Sequence, residues 1–281
     1  YFKNWMDATE HQVSSGWKRS RHRMFSKYVS PHIGNKKLCH IRGEDISITL
    51  NHMKRAGLSN QMIRHCYSML RKMFQDGIEL FEYIEKNPVK PHMKPKVEQK
   101  ESSHLTPAQS IALLRYSKGK KYGLFVWLGL LGGLRVGEIQ PLKWADFDFE
   151  QGILRLRRSY SRTSNTLNSF TKSKKVFNNH LPGELVEYAK SIYSQSDAKL
   201  ADYVFTSSRG NFGFVGYTTL NRRLEELCRA LGLPHISPHG LRHSASLLFL
   251  NAGATKDDIQ HLLHHSSSKT TERYLHDYEF R

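Results

Sequence analysis

Apolar positions in the first part of the chain recur at helical spacing throughout. The longest stripe, Met62, Ile63, Cys66, Tyr67, Leu70, Met73, Phe74, Ile78 and Phe81, follows an N-cap offered by Ser59 and Asn60 and stops at Asn87-Pro88. It predicts one long helix with a buried face. A shorter stripe of Trp17, Met24, Phe25 and Tyr28 shares its helix with Lys18, Arg19, Arg21, Arg23 and Lys27. Residues 86–103 then carry three prolines, many charges and almost no large apolar groups, which is the composition of a linker.

Beyond it, Thr106 can cap a helix whose first position is Pro107. Residues 122–139 form a long apolar helix candidate interrupted by Gly129, Gly132 and Gly133. Residues 153–158 alternate apolar and basic as a strand does, and a second strand is expected over 176–181. The polar stretch 159–175 between them reads as the long basic tip of a hairpin. Helices return after Pro182, most clearly over 219–231, 241–251 and 256–263. The pattern predicts a mainly α fold with a small antiparallel β-sheet in the second half (α+β). Its divisions are a helical domain over 1–90, a linker over 91–103 and a second domain over 104–281.

Charge narrows the class of partner. Of 281 residues, 43 are Lys or Arg and 25 Asp or Glu, a net charge of +18. With 38% hydrophobic residues the chain can pack cores, which excludes a disordered basic tail. Residues 1–100 hold 19 basic against 9 acidic groups, and the remainder 24 against 16, so both halves are expected to touch a polyanion. Nucleic acid is the first choice and an anionic membrane surface the second. Cys39, Cys66 and Cys228 form no C-x-x-C pair, so neither a disulfide framework nor a cysteine zinc site is indicated, and a reducing compartment fits. The longest apolar run, 122–134, stops at Arg135, short of the ~18 residues of a membrane span. No signal peptide is expected, and a chain starting at Tyr1 rather than Met is expected to continue upstream.

Order and spacing then single out a few polar groups. Arg135 and Glu138 lie three apart in LLGGLRVGEIQPLKW, His239 and Arg242 three apart in PHGLRHS, and Tyr274 follows His265 by nine in LLHHSSSKTTERYLH. These segments resemble the tyrosine recombinase (lambda-integrase) family. Its T/G-G-L-R-x-x-E motif is matched by Gly133-Leu134-Arg135-Val136-Gly137-Glu138, and its H-x-L-R-H motif by His239-Gly240-Leu241-Arg242-His243. Its L-G-H-S-S…T-T-x-x-Y motif is matched by Leu263-His264-His265-Ser266-Ser267 and Thr270-Thr271-Glu272-Arg273-Tyr274. His264 departs from the family glycine, and a positive φ there would strain it. The family's hairpin lysine falls on Lys172 in TKSKKVFNNHLP, with Lys174 and Lys175 as alternatives. The first domain is similar to the family's core-binding module, with weaker motifs.

The resemblance implies a two-domain clamp on duplex DNA and a site-specific recombinase or integrase of a phage or conjugative transposon. Strands would be cut and rejoined through a covalent 3′-phosphotyrosine, to integrate or excise a mobile element. Cutting a phosphodiester without metal needs cationic forks on the non-bridging oxygens, a role for Arg135 and Arg242. Tyr274 would be the nucleophile and Lys172 the general acid. His239 and His265 would donate to the phosphate or manage the tyrosine proton, and Glu138 would orient His239. Lys18, Arg19, Arg21, Arg23, Lys27, Lys94, Lys96, Lys174 and Lys175 are the expected backbone contacts. His261, His264, His265 and His276 lack the convergent carboxylate or cysteine set of a metal site, so no metal or other cofactor is expected. The expected partners are duplex attachment sites, a homotetramer assembled on two of them, and accessory DNA-bending or excision factors, in the cytoplasm at a bacterial nucleoid. With seven residues after Tyr274, 275–281, the chain is also expected to continue beyond Arg281. The competing functions are a type IB topoisomerase and a non-catalytic sequence-specific DNA-binding protein.

Overall fold

The computed structural model describes residues 1–9, 11, 13, 15–97, 104–169, 177–209 and 212–263, and only the backbone of residues 15 and 261. Two hydrophobic cores form, one in each of two units: Tyr1–Lys100 with Thr163–Asn165, and Glu101–Arg162 with Thr166–Arg281.

The first unit contains α1 (Phe2–Ala8), α2 (Ser15–Met24), a π turn (Phe25–Val29) leading into α3 (Ser30–Ile33), α4 (Gly43–Arg55) and α5 (Asn60–Glu79). Ser59 caps α5 by accepting from the Met62 N–H at 3.3 Å. From the predicted stripe, Ile63, Cys66, Tyr67, Leu70, Met73 and Phe74 are buried in one cluster with Ile46, Leu50 and Met53 of α4 and Trp5 and Met6 of α1. Met62, which the stripe includes, lies exposed one position before that face. A buried carboxylate joins three helices: Asp76 accepts from Trp5 Nε1 at 2.7 Å and from Lys72 Nζ at 2.6 Å, and Arg21 of α2 stacks over Trp5 at 4.5 Å and over Trp17.

Arg21 therefore departs from the expectation set for it. Its guanidinium is buried among aromatic rings, and this burial pushes its pKa down to about 10 against the opposing pull of Asp76. An apolar stripe and a basic stripe share one helix there, and Arg21 falls on the apolar side. Arg19, Arg23, Lys27, Lys94 and Lys96 are exposed and Lys18 is half-buried. The proline-rich stretch is also more ordered than its composition suggests. Val89 is buried, its carbonyl accepts from Arg71 at 3.2 Å, Tyr67 donates to the Lys90 carbonyl at 3.3 Å, and Asn60 donates to the Lys96 carbonyl at 3.0 Å. A 3₁₀ turn over Pro91–Met93 interrupts the extended backbone, and α5 side chains bond the Val89, Lys90 and Lys96 carbonyls around it.

The second unit begins with α6 (Pro107–Ser117), closed by a reciprocal Thr106–Gln109 cap. The candidate helix over 122–139 is two helices, α7 (Gly123–Leu130) and α8 (Val136–Ile139), separated by the glycine turn. Strands β1 (Phe147–Asp148), β2 (Ile153–Leu156), β3 (Ser159–Ser161), β4 (Thr166–Asn168) and β5 (Phe177–His180) follow, then α9 (Gly183–Ser194), α10 (Tyr217–Ala230), α11 (Pro238–Asn251) and α12 (Lys256–Leu262). The order β1-β2-β5 is antiparallel, with Ile153 opposite His180 and Leu156 opposite Phe177. The segment read as a loose hairpin tip holds a second pairing, β3 with β4. Every residue of α7 is buried, so it is apolar all round and sits at the centre of its unit, packed by α6, α9 and α11.

The Asp76 junction should dominate the stability of the first unit. Asp76→Ala orphans the indole N–H of the fully buried Trp5 and should lower its unfolding free energy by about 2 kcal/mol. Lys72→Ala removes only a half-exposed partner and should cost under ~1 kcal/mol. Urea titration of both variants, with the two units' transitions fitted separately, reads the difference; equal losses would contradict it.

Candidate active site

The glycine turn after α7 builds the site. Gly133 has φ +61, a region other residues enter only at a cost, and a Cβ there would lie 2.8 Å from Leu263 Cδ2. A Cβ on Gly132 would meet the Leu128 carbonyl at 2.7 Å. The turn sends Leu134 back into the core and brings Arg135 out at the cap of α8. There Glu138, itself buried, accepts from the Arg135 backbone N–H at 2.8 Å and from its guanidinium at 2.9 Å. The arginine side chain is 44% exposed and the carboxylate 8%, so the ion pair holds an outward-facing cation from below.

Helix α11 supplies the second pair of groups. Ser237 caps it, Pro238 occupies its first turn, and His239 and Arg242 follow on successive turns of one face. Its close approach to α7 needs Gly129, where a Cβ would touch Leu241 at 3.0 Å. Arg242 is buried. Its guanidinium donates to the Gly133 carbonyl at 2.6 Å and to the Leu263 carbonyl. These two bonds tie the glycine turn to the end of α12, the segment that leads toward His265 and Tyr274.

His239 reaches solvent, yet its pKa is lowered from the usual 6.5. Protein packed around the imidazole is the largest cause, followed by the positive charges of Arg242 and Arg135. The ring is therefore neutral at neutral pH and keeps one N–H donor and one acceptor. Its contribution to folding is complete above about 6.5 and is lost as pH falls through the lower folded value, because the unfolded chain takes up the proton first.

The structure brings together Arg135, Glu138, His239 and Arg242. Glu138 bonds Arg135 and not His239, which corrects the expectation from sequence: at three residues' spacing on one capping turn, the arginine is the nearer partner. His243 is buried edge-on to His104, 4.8 Å between ring centroids, on the inward side of α11. Lys172, Lys174, Lys175, His265 and Tyr274 lie outside the described residues. One contributor had no motif: Asn179 of β5 is buried and donates its amide to the Gly132 carbonyl at 2.9 Å. The signal available in sequence was a polar residue on the inward-facing register of a strand. Among the described residues no group of His, Cys, Asp and Glu could hold a metal ion, and no helix is long and apolar enough to cross a membrane.

Comparison with known proteins places this geometry in context. The phage integrase family profile matches residues 104–281. Tyrosine recombinase XerC of Bifidobacterium longum is 28% identical over 144 residues, 51% of this chain; the chain spans 40% of that relative's length. XerC of Oceanobacillus iheyensis is 26% identical over 258 residues, covering 86% of this chain and 79% of the relative. The Tn1549 transposon integrase, solved in complex with a circular intermediate DNA, shares the fold with a TM-score of 0.81 at 21% identity, over 96% of this chain and 93% of that one.

Two outcomes follow from the geometry. Gly133→Ala forces a left-handed non-glycine residue against Leu263 and should lower the second unit's unfolding free energy by at least about 1–2 kcal/mol in chemical denaturation. In an NMR titration His239 should deprotonate below 6.5, and Arg135→Ala should raise its midpoint by removing a repelling charge. A midpoint that falls or stays fixed in that variant would show that the two groups do not sense each other.

Proposed function

Because the chain belongs to the phage integrase family, its second unit matching along residues 104–281, we propose that it is a site-specific DNA recombinase acting through a 3′-phosphotyrosine. The convergence of Arg135, His239 and Arg242 carries this reading: two arginines close enough to depress one histidine form a site suited to a single phosphate. As the Tyr274 oxygen attacks phosphorus, negative charge grows on the non-bridging oxygens. The Arg135 guanidinium, held half exposed by Glu138, meets that charge, and Arg242, buried and bonded to the Gly133 and Leu263 carbonyls, adds positive charge from beneath. Neutral His239 donates its remaining N–H to the phosphate, with His265 as a second donor.

The Tyr274 O–P bond forms as the phenol gives up its proton to a neutral histidine of the pair His239 and His265, the P–O5′ bond breaks, and the departing 5′ oxygen takes a proton from Lys172, or from Lys174 or Lys175. The phosphotyrosine retains the bond energy, so attack by a 5′ hydroxyl reseals a strand without ATP. Exposed Arg19, Arg23, Lys27, Lys94 and Lys96, with half-buried Lys18, would follow the DNA backbone. Integration or excision of a mobile element by a tetramer on two duplex sites, in a bacterial cytoplasm, completes the reading.

A suicide duplex carrying a site selected for binding to this chain from a random pool tests it. A covalent adduct should form on a denaturing gel, persist in EDTA and vanish in Tyr274→Phe. Arg135→Ala should slow its formation by about 10²–10³-fold. Among the three lysines, the general acid is the one whose Ala variant regains cleavage when sulfur replaces the bridging 5′ oxygen, because that thiolate leaves unprotonated. Tight binding with no adduct would leave a DNA-binding protein, and relaxation without strand exchange a topoisomerase.

A further inference from the structure

Arg135 caps a helix of four residues, α8, and so short a helix does not orient itself. Glu138 fixes the guanidinium relative to α8, so whatever places α8 places the cation. The glycine turn leads into it. Just beyond its end, buried Gln140 donates its side-chain amide to the Val215 carbonyl at 2.9 Å. Along one flank lies β3: a Cβ on Gly137 would fall 2.5 Å from the Tyr160 carbonyl oxygen, so backbone rests directly against backbone.

The β3–β4 pairing alone holds β3 weakly. Each strand has three residues, and the ribbon offers one apolar pair, Tyr160 opposite Leu167. The Tyr160 ring supplies the missing anchor. It meets Phe212 and Phe214 edge-on, with 5.3 Å between ring centroids in each case. Both rings belong to the segment between α9 and α10, which folds back on itself with Thr206 opposite Phe214 and the Val215 N–H donating to the Phe205 carbonyl at 2.9 Å. This segment also accepts the Gln140 bond and donates from the Val204 N–H to the Leu142 carbonyl at 2.8 Å. One element therefore holds α8 along two routes, directly through Gln140 and indirectly through Tyr160.

We propose that Tyr160 is a positioning residue for strand cleavage: gripped by Phe212 and Phe214, it sets through Gly137 the distance at which α8 presents Arg135 to the phosphate. The assignment rests on the recombinase reading. Misplacing a reacting or charge-stabilising group by about 1 Å slows a reaction by about 10²-fold. A methyl group on Gly137 demands a shift of that size, because a 2.5 Å approach has to open to about 3.5 Å.

The test uses the full chain. Gly137→Ala and Tyr160→Ala should form the covalent adduct on the suicide duplex about 10²-fold and about tenfold more slowly than wild type, with affinity for that duplex within about twofold. Tyr160→Phe keeps the ring contacts and should react at the wild-type rate. Val186→Ala removes packing from α9 in the same core and should do likewise. His239 gives a readout that needs no DNA. Its NMR midpoint senses Arg135, so it should shift in Gly137→Ala and Tyr160→Ala and stay fixed in Tyr160→Phe and Val186→Ala. Should Gly137→Ala not fold, the two Tyr160 variants carry the same comparison. Slow adduct formation with an unmoved midpoint, or an equal loss in Tyr160→Phe, would overturn the proposal. So would recovery of Tyr160→Ala by sulfur at the bridging 5′ position, which would transfer the effect to the general acid. No adduct in any form of the chain, wild type included, would instead overturn the recombinase reading, and the midpoints alone would then decide whether Tyr160 places Arg135.

Discussion

The second unit depends on a two-residue turn whose carbonyls have to be satisfied. Gly132 and Gly133 reverse the chain at the end of the buried α7, leaving two backbone acceptors where water is scarce. Asn179 meets the first and Arg242 the second. The obligation runs both ways, since a buried guanidinium is costlier to leave unbonded than a carbonyl. One turn thereby sets β5, α11 and the end of α12 against each other, and Arg135 emerges from it on the first helical turn that follows.

Electrostatics at this point are asymmetric in a useful way. Arg135 is balanced by Glu138 from beneath and remains half exposed, while Arg242 is buried and donates to two backbone carbonyls. Burial first, and then the charges of Arg242 and Arg135, keep His239 neutral. In the first unit the opposite solution appears. Arg21 lies buried beside Asp76 under two tryptophans, where its charge serves cohesion and is withdrawn from the surface.

Much of this was legible in the chain. The stripe after Ser59, the Thr106 cap, the two sheet strands and the helices after Pro182 follow from period and capping, which are local properties. Arg135, His239 and Arg242 were recognisable from order and spacing. The partner of Glu138 was not, because a carboxylate within reach of two cations is assigned by distance. Arg21 was misjudged for a related reason: on a helix carrying both an apolar and a basic stripe, only the packed neighbours decide which positions face inward. The β3–β4 pairing was missed because each strand offers a single apolar residue, Tyr160 opposite Leu167, too few to establish a period.

What the sequence by itself determined is the inventory and the periodicity: a basic two-part chain, its helices, and the residue types that phosphate chemistry requires. Hydrophobic spacing and charge are additive along a chain, so they survive without coordinates. The tertiary structure decided which charges face outward, which carbonyls the buried donors meet, and that a proline-rich stretch is strapped to α5. Those outcomes depend on groups remote in sequence competing for the same few bonds, and that competition is settled only when the chain closes on itself.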